Sequence, residues 1–364
     1  MRFKLALPIL VILFSSFFIF RKKNPEKLQA AKIELGRQLF FDKALSNPNG
    51  QSCTVCHAPK TAFSDPNHVI VSEGMIDGAF VSRNSQSLTY VAFIPPRHFD
   101  ESTNRWKGGL FWDGRSDQLE HQLAGPLFNP AEMNNADTAS LIDEVMNAPY
   151  YKMYRNIYGK VKDKTIAYQN ICESLSAFER SETLNEFSSK YDLSLQGKVT
   201  LSELEQTGLT LFEGKANCVS CHTMTPDPIT GKILFSDYSY HNVGVPANSE
   251  NPFYSTDPKL NPRGDEYVDL GLGGVTWKKE DYGKFRTPTL RNVQYTGPYF
   301  HNGYFKTLKE AVHFMNARNN GTFAQPEITD NIARQLTGSQ NLTAEEELAV
   351  VAFLLTLTDG YDEE

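Results

Sequence analysis

Apolar positions recur at three- and four-residue intervals along several stretches of the chain, and each stretch predicts an amphipathic helix. They include TASLIDEVMNAPYYKMYRNIY (138–158), KTIAYQNICESLSAFERS (164–181), TLKEAVHFMNAR (307–318) and LTAEEELAVVAFLLTLTDG (342–360). In the last of these, Thr343 and Glu346 precede the apolar run at the spacing of a capping box. Two further stretches, ELGRQLFFDKALSNPNGQSCTVCH (34–57) and EQTGLTLFEGKANCVSCH (205–222), share one plan. Each reads as a helix ending in Leu-Phe, a Gly-containing loop, then Cys-x-x-Cys-His. This weak internal repeat predicts two related domains.

Between the helices lie long connections rich in Gly, Pro, Asn and Asp, chiefly 58–110 and 223–300. Alternating segments long enough for a substantial sheet are scarce, so the expected fold is mainly α with long irregular loops and little sheet. Loops of that length are uncommon in a compact domain unless they serve a site, and wrapping a large planar cofactor is one such use. The polar stretch RSETLNEFSSKYDLSLQG (180–197) marks the expected boundary, dividing a first domain (24–187) from a second (188–364).

The first 23 residues form a separate segment with a basic start and an apolar run from Leu5 to Phe20. It is long for a signal core and short of the ~20 residues of a comfortable membrane span. Export to the periplasm is expected, with the segment either cleaved or kept as a membrane anchor. Formal charge is −7, and removing the five basic residues Arg2, Lys4, Arg21, Lys22 and Lys23 takes it to −12. A surface that acidic disfavours nucleic acid and favours a basic protein partner.

Four of the five cysteines fall in Cys-x-x-Cys pairs, each followed at once by histidine: Cys53, Cys56, His57 and Cys218, Cys221, His222. The pattern, seen twice, points to two covalently bound haem c groups with His57 and His222 as axial ligands. The competing readings are a four-thiolate zinc site and a redox dithiol; neither needs the histidines. Cys172 reads as a small buried hydrophobe. The opposite face of each iron decides function. A methionine there closes the site and raises its potential, whereas an open position admits peroxide or oxygen. Met224 stands too near His222 to reach that face. Met315 could serve, but by spacing alone it could equally pack in a core.

Several segments resemble the bacterial dihaem cytochrome c peroxidase family, which includes the enzyme that matures methylamine dehydrogenase. They are LGRQLFFDKALS, SCTVCH, GLFWDGRSDQLEHQLAGPLFNPAEM, FRTPTLRNVQYTGPYFHNGYFKTLKEAVHFM and VVAFLLTLTDG. The resemblance runs from about Leu35 to Leu357. It implies two cytochrome-c-like haem domains and His222/Met315 ligation of the second haem, where the maturation enzyme has tyrosine instead of methionine. It further implies Glu132 as the acid–base group and Gln122 as its polar partner over the first haem. Trp112 is implied to lie between the haems, and Asn84, Thr296 and Pro298 to hold a calcium ion. The implied activity is reduction of hydrogen peroxide with electrons from a small donor, either a c-type cytochrome or a cupredoxin. The alternatives are a protein-modifying oxidase and a non-enzymatic electron carrier. The oligomeric state stays open, a homodimer among the options.

One departure stands out. Peroxidases of this family place a capping histidine about where Glu73 stands here. The nearest candidates are His68 and Met75, and the alternative is an open or water-bound iron. His98, His241 and His301 read as hydrogen-bonding or packing residues. Trp106 and Trp277 match nothing in the family pattern.

Overall fold

The computed structural model describes residues 24–228, 230–333 and 340–362, so the apolar run at 5–20 lies outside the described residues. The first half carries α1 (Pro25–Phe41), strands β1 (His98–Asp100) and β2 (Arg105–Lys107), α2 (Leu119–Gln122), α3 (Ala124–Phe128), α4 (Thr138–Asn147), α5 (Tyr151–Tyr158) and α6 (Lys164–Glu179). The second carries α7 (Lys190–Leu195), α8 (Glu203–Glu213), β3 (Tyr240–His241), α9 (Gly273–Thr276), β4 (Phe285–Arg286), α10 (Leu308–Ala317) and α11 (Ala344–Leu355). The fold is mainly α, and β1–β2 and β3–β4 are short antiparallel pairs. No helix among the described residues is long and apolar enough to cross a membrane.

The helices begin where their caps dictate. Asp163 accepts from Thr165 N at 2.7 Å to start α6, and Ser202, Thr307 and Thr343 open α8, α10 and α11 with capping boxes. The stretch 138–158 differs from its pattern. It forms two helices, because Pro149 disfavours helical geometry at Ala148, which is extended.

The repeat seen in the sequence becomes a repeat of packing. In α1, a Cβ on Gly36 would lie 1.9 Å from Ser174 O and 2.9 Å from Phe178 Cβ of α6. In α8, a Cβ on Gly208 would lie 1.9 Å from Ala349 O and 2.9 Å from Phe353 Cβ of α11. Each glycine lets its helix touch the backbone of the partner. The aromatic pairs repeat too, with Phe40–Phe178 at 5.3 Å and Phe212–Phe353 at 5.1 Å. The first core draws on residues from Leu35 to Leu184 and the second on residues from Tyr191 to Leu357.

The long connections are held by polar side chains bonded to backbone, which a hydrophobic pattern does not reveal. Asn251 Nδ2 donates to Ser82 O at 3.0 Å and Thr256 Oγ1 to Gly78 O at 2.8 Å, tying the two halves together. Cys172 is buried in the first core, as expected.

Candidate haem sites and the cavity between them

Each Cys-x-x-Cys-His segment forms a tight turn that aims its histidine in the same way. His57 N donates to Cys53 O at 2.9 Å, and His222 N to Cys218 O at 2.9 Å. His57 Nδ1 then meets Phe63 O at 3.1 Å, and His222 Nδ1 meets Phe235 O at 2.9 Å. A carbonyl only accepts, so Nδ1 carries the proton and Nε2 keeps its lone pair. Burial lowers both imidazole pKa values, against a raising pull from those carbonyls. Both rings are therefore neutral and suited to bind a metal.

Both histidines line one cavity of 720 Å³, which also touches Cys218 and Cys221. Cys53, Cys56 and His57 line an adjoining cavity of 70 Å³. The two cysteine pairs stay in separate halves, and no cluster of three or more His, Cys, Asp or Glu suited to a metal occurs among the described residues. The four-thiolate zinc reading therefore falls. Neutral imidazoles, paired thiols and a large internal space fit two covalent haems.

The far sides of the two sites differ. An antiparallel bridge, Tyr299↔Phe305, precedes α10, and a matching bridge, Leu110↔Ser116, precedes α2. Residues Leu119–Phe128 therefore correspond to Leu308–Ala317. In the second half this segment is one continuous helix that brings Met315 to the cavity of His222. In the first half it is split into α2 and α3 around Leu123. Pro126 stands in the place of Met315; it has no N–H to give Gln122 O, so the helix breaks.

Past that break, the chain turns on Asn129. Ala131 N donates to Asn129 Oδ1 and Glu132 N to Asn129 O, both at 3.0 Å. Glu132 thereby reaches the cavity wall with Gln122, Pro126 and His57. Burial raises the Glu132 pKa, while Arg115 and Asn129 pull it down. His68 is exposed, its Nδ1 3.1 Å from Gly297 O. Neither His68 nor Met75 lines the cavity.

Trp112 sits where the halves meet. Its Nε1 donates to Asn84 O at 2.9 Å, its carbonyl accepts from Arg286 N at 2.9 Å, and Asn84 N donates to His301 O at 2.7 Å. Asn84 Nδ2 donates to Ile70 O at 3.1 Å, which leaves Oδ1 as the atom to offer a cation. Asn84, Thr296 and Pro298 all line the large cavity, and neutral oxygen donors suit a hard cation such as calcium. His301 stacks on Phe285 at 3.6 Å. His241 Nε2 lies 2.7 Å from Ser239 Oγ, and His98 Nδ1 lies 2.9 Å from Pro96 O.

Sequence reasoning missed the clasp beside Trp112. Arg83 binds Asp269 through Nε and Nη2 at 2.6 and 2.7 Å, and Asp113 through Nη1 at 2.6 Å. Burial would raise Asp269, but Arg83 holds it at about 2. The hints were adjacent: Arg83 precedes Asn84, and Asp113 follows Trp112.

A sequence profile described as di-haem cytochrome c peroxidase matches residues 30–200. Methylamine utilization protein MauG of Paracoccus denitrificans is 34% identical, covering 89% of this chain and 88% of its own. Cytochrome c551 peroxidase of Nitrosomonas europaea is 31% identical, covering 87% and 82%. The crystal structure of the diheme peroxidase BthA of Burkholderia thailandensis superposes with a TM-score of 0.77 at 32% identity, covering 93% of this chain and 87% of that one.

Proposed function

The chain belongs to the di-haem cytochrome c peroxidase family, and from that membership we propose that it reduces hydrogen peroxide to water in the periplasm. Residues 24–187 form the peroxide-reacting half, and residues 188–364 form the half where electrons enter from a small c-type cytochrome or cupredoxin. The observation that carries this reading is the contrast between the halves. Glu132, Gln122 and Pro126 line a small cavity with His57 that neither His222 nor Met315 touches, whereas Met315 and His222 meet in the large one.

Haem c on Cys53 and Cys56, and on Cys218 and Cys221, supplies the iron and the electron storage. His57 and His222 would bind the two irons, and Met315 would close the second. Peroxide at the open face, opposite His57, would meet Glu132, whose carboxylate would accept a proton from one peroxide oxygen and return it to the other as the O–O bond breaks. Gln122 orients the peroxide through its side-chain amide. Trp112 spans the gap between the halves, and a calcium ion held by Asn84, Thr296 and Pro298 would stiffen that junction.

A second reading, oxidation of a protein side chain, is favoured by the 34% identity to MauG. Met315 argues against it, since the resemblance gives that enzyme a tyrosine there. Steady-state peroxide reduction with reduced cytochrome c separates the two. Turnover of peroxide with cytochrome oxidation supports the first reading; peroxide consumption only when a protein substrate is added supports the second.

A further inference from the structure

One peroxide takes up two electrons and two protons to give two waters. Glu132 moves a proton between the two oxygens and ends unchanged, so both net protons come from elsewhere. The first half contains a group placed to hold one.

Glu179 ends α6 with 2% of its surface exposed, and its Oε2 has no hydrogen-bond partner among the described residues. Gln51 Oε1 is likewise buried and without a partner. Both side chains line the 70 Å³ cavity, together with Cys53, Cys56, Gln122 and Glu132. A buried oxygen without a donor is costly and calls for an explanation. The haem edge joined to Cys53 and Cys56 is hydrocarbon, so the cofactor gives no donor there. Two buried acceptors facing one space without a donor call for a bridging water between them, beside the part of that space that the haem edge would fill.

The second half is an internal control. The match of Gly36 on Phe178 with Gly208 on Phe353 puts Leu354 at the place of Glu179. The two Cys-x-x-Cys-His segments put Ala216 at the place of Gln51. So the half closed by Met315 has two apolar residues where the open half has a carboxyl and an amide. A purely structural role for Glu179 would not follow that division.

We propose that Glu179 and Gln51 hold water beside the first Cys-x-x-Cys-His site and that this pair supplies the net protons that peroxide takes up as it is reduced. The inference rests on the reading of Glu132 as the acid–base group. In each turnover, hydrogen peroxide accepts two electrons from the one-electron donor protein. Glu179 releases a proton through the pocket water toward the departing oxygen and regains one from bulk water; a second proton follows the same route. Burial pushes the Glu179 carboxyl up to about 8, against a lowering pull from Arg180, so it carries a proton at neutral pH. The charged and titratable groups around it are Arg180 and Glu120, paired with each other at 2.6 Å, the Cys53 sulfur and the Cys172 thiol.

The test uses the holo-protein and two variants, Glu179→Gln and Glu179→Leu, the second copying the other half. Redox-induced infrared difference spectra of the parent should show a protonated-carboxyl band that shifts in heavy water and vanishes in both variants. Both should keep their haem, melt no lower than the parent, and lose about tenfold or more in kcat with KM unchanged. A band that persists in both variants, or peroxide rates within about twofold of the parent, overturns the proposal. If Glu132→Gln is slow while the Glu179 variants are fast, this inference alone fails. If Glu132→Gln is also fast, the acid–base reading fails, and the infrared band still decides whether Glu179 holds the proton.

Discussion

Pro126 occupies, in the first half of the molecule, the helix position that Met315 occupies in the second. The consequence is chemical. A methionine there offers sulfur to an iron, whereas a proline offers nothing and breaks the helix, leaving room for Gln122 and Glu132 at the wall of the cavity. On the proposed reading, one duplicated framework thus yields one closed and one open site.

Replacing Met315 with Ala should therefore lower the potential of the His222 haem by more than about 100 mV, a modest part of the ~0.8 V that axial ligands span. Haem content should not change, because Cys218, Cys221 and His222 lie on another segment. Spectroelectrochemical titration checks this, and an unchanged potential would remove Met315 from the coordination sphere.

The converse change, Pro126→Met, restores an N–H able to reach Gln122 O and brings sulfur toward the open face. The first haem should shift toward a low-spin spectrum, and its reaction with peroxide should slow by about tenfold or more. Electron paramagnetic resonance and rapid mixing give the two readouts. A variant still high-spin and fully reactive would contradict the matching of Pro126 to Met315.

The bond from Trp112 Nε1 to Asn84 O links the proposed electron path to the proposed calcium site. Removing calcium with a chelator should slow electron transfer between the haems and reverse on adding it back. Trp112→Phe, which has no N–H to donate, should make the transfer rate respond less to chelation. Purified, active protein without a bound divalent ion would sink the calcium assignment.

Stability should carry the signature of Glu179. Its carboxyl titrates at about 8 when folded and ordinarily at 4.5. Between those values the folded state binds a proton that the unfolded state has released, so stability falls as pH rises through this window. Thermal melts of the holo-protein across the window should decline less steeply for Glu179→Leu than for the parent. Parallel slopes would mean that the carboxyl does not titrate there.

Much of this was legible in the sequence because it rests on local spacing. Cys-x-x-Cys-His fixes its own turn, the Leu-Phe lead-ins mark α1 and α8, and the Thr343–Glu346 box begins α11 as expected. What the pattern hid depends on distant partners. Arg83 finds Asp269 only because two long loops meet, held by side-chain to backbone bonds with no periodicity. Glu179 ends a helix that reads as ordinary, and its isolation shows only once α6 is packed against the first Cys-x-x-Cys-His turn. Pro126 gains meaning only when the two halves are laid over one another. The break within 138–158 was readable from Pro149, but the apolar period ran straight through it.

The central claim is that Glu132 moves the proton at an open first site. Stopped-flow mixing of the reduced protein with peroxide, following the first haem, tests it most directly. Glu132→Gln keeps the size and the hydrogen bonding of the side chain but cannot cycle a proton, so the reaction should slow by about 10²–10⁴-fold. Haem content and the potential of the His222 haem should stay at the parent values. A variant that reacts within about threefold of the parent would contradict the account.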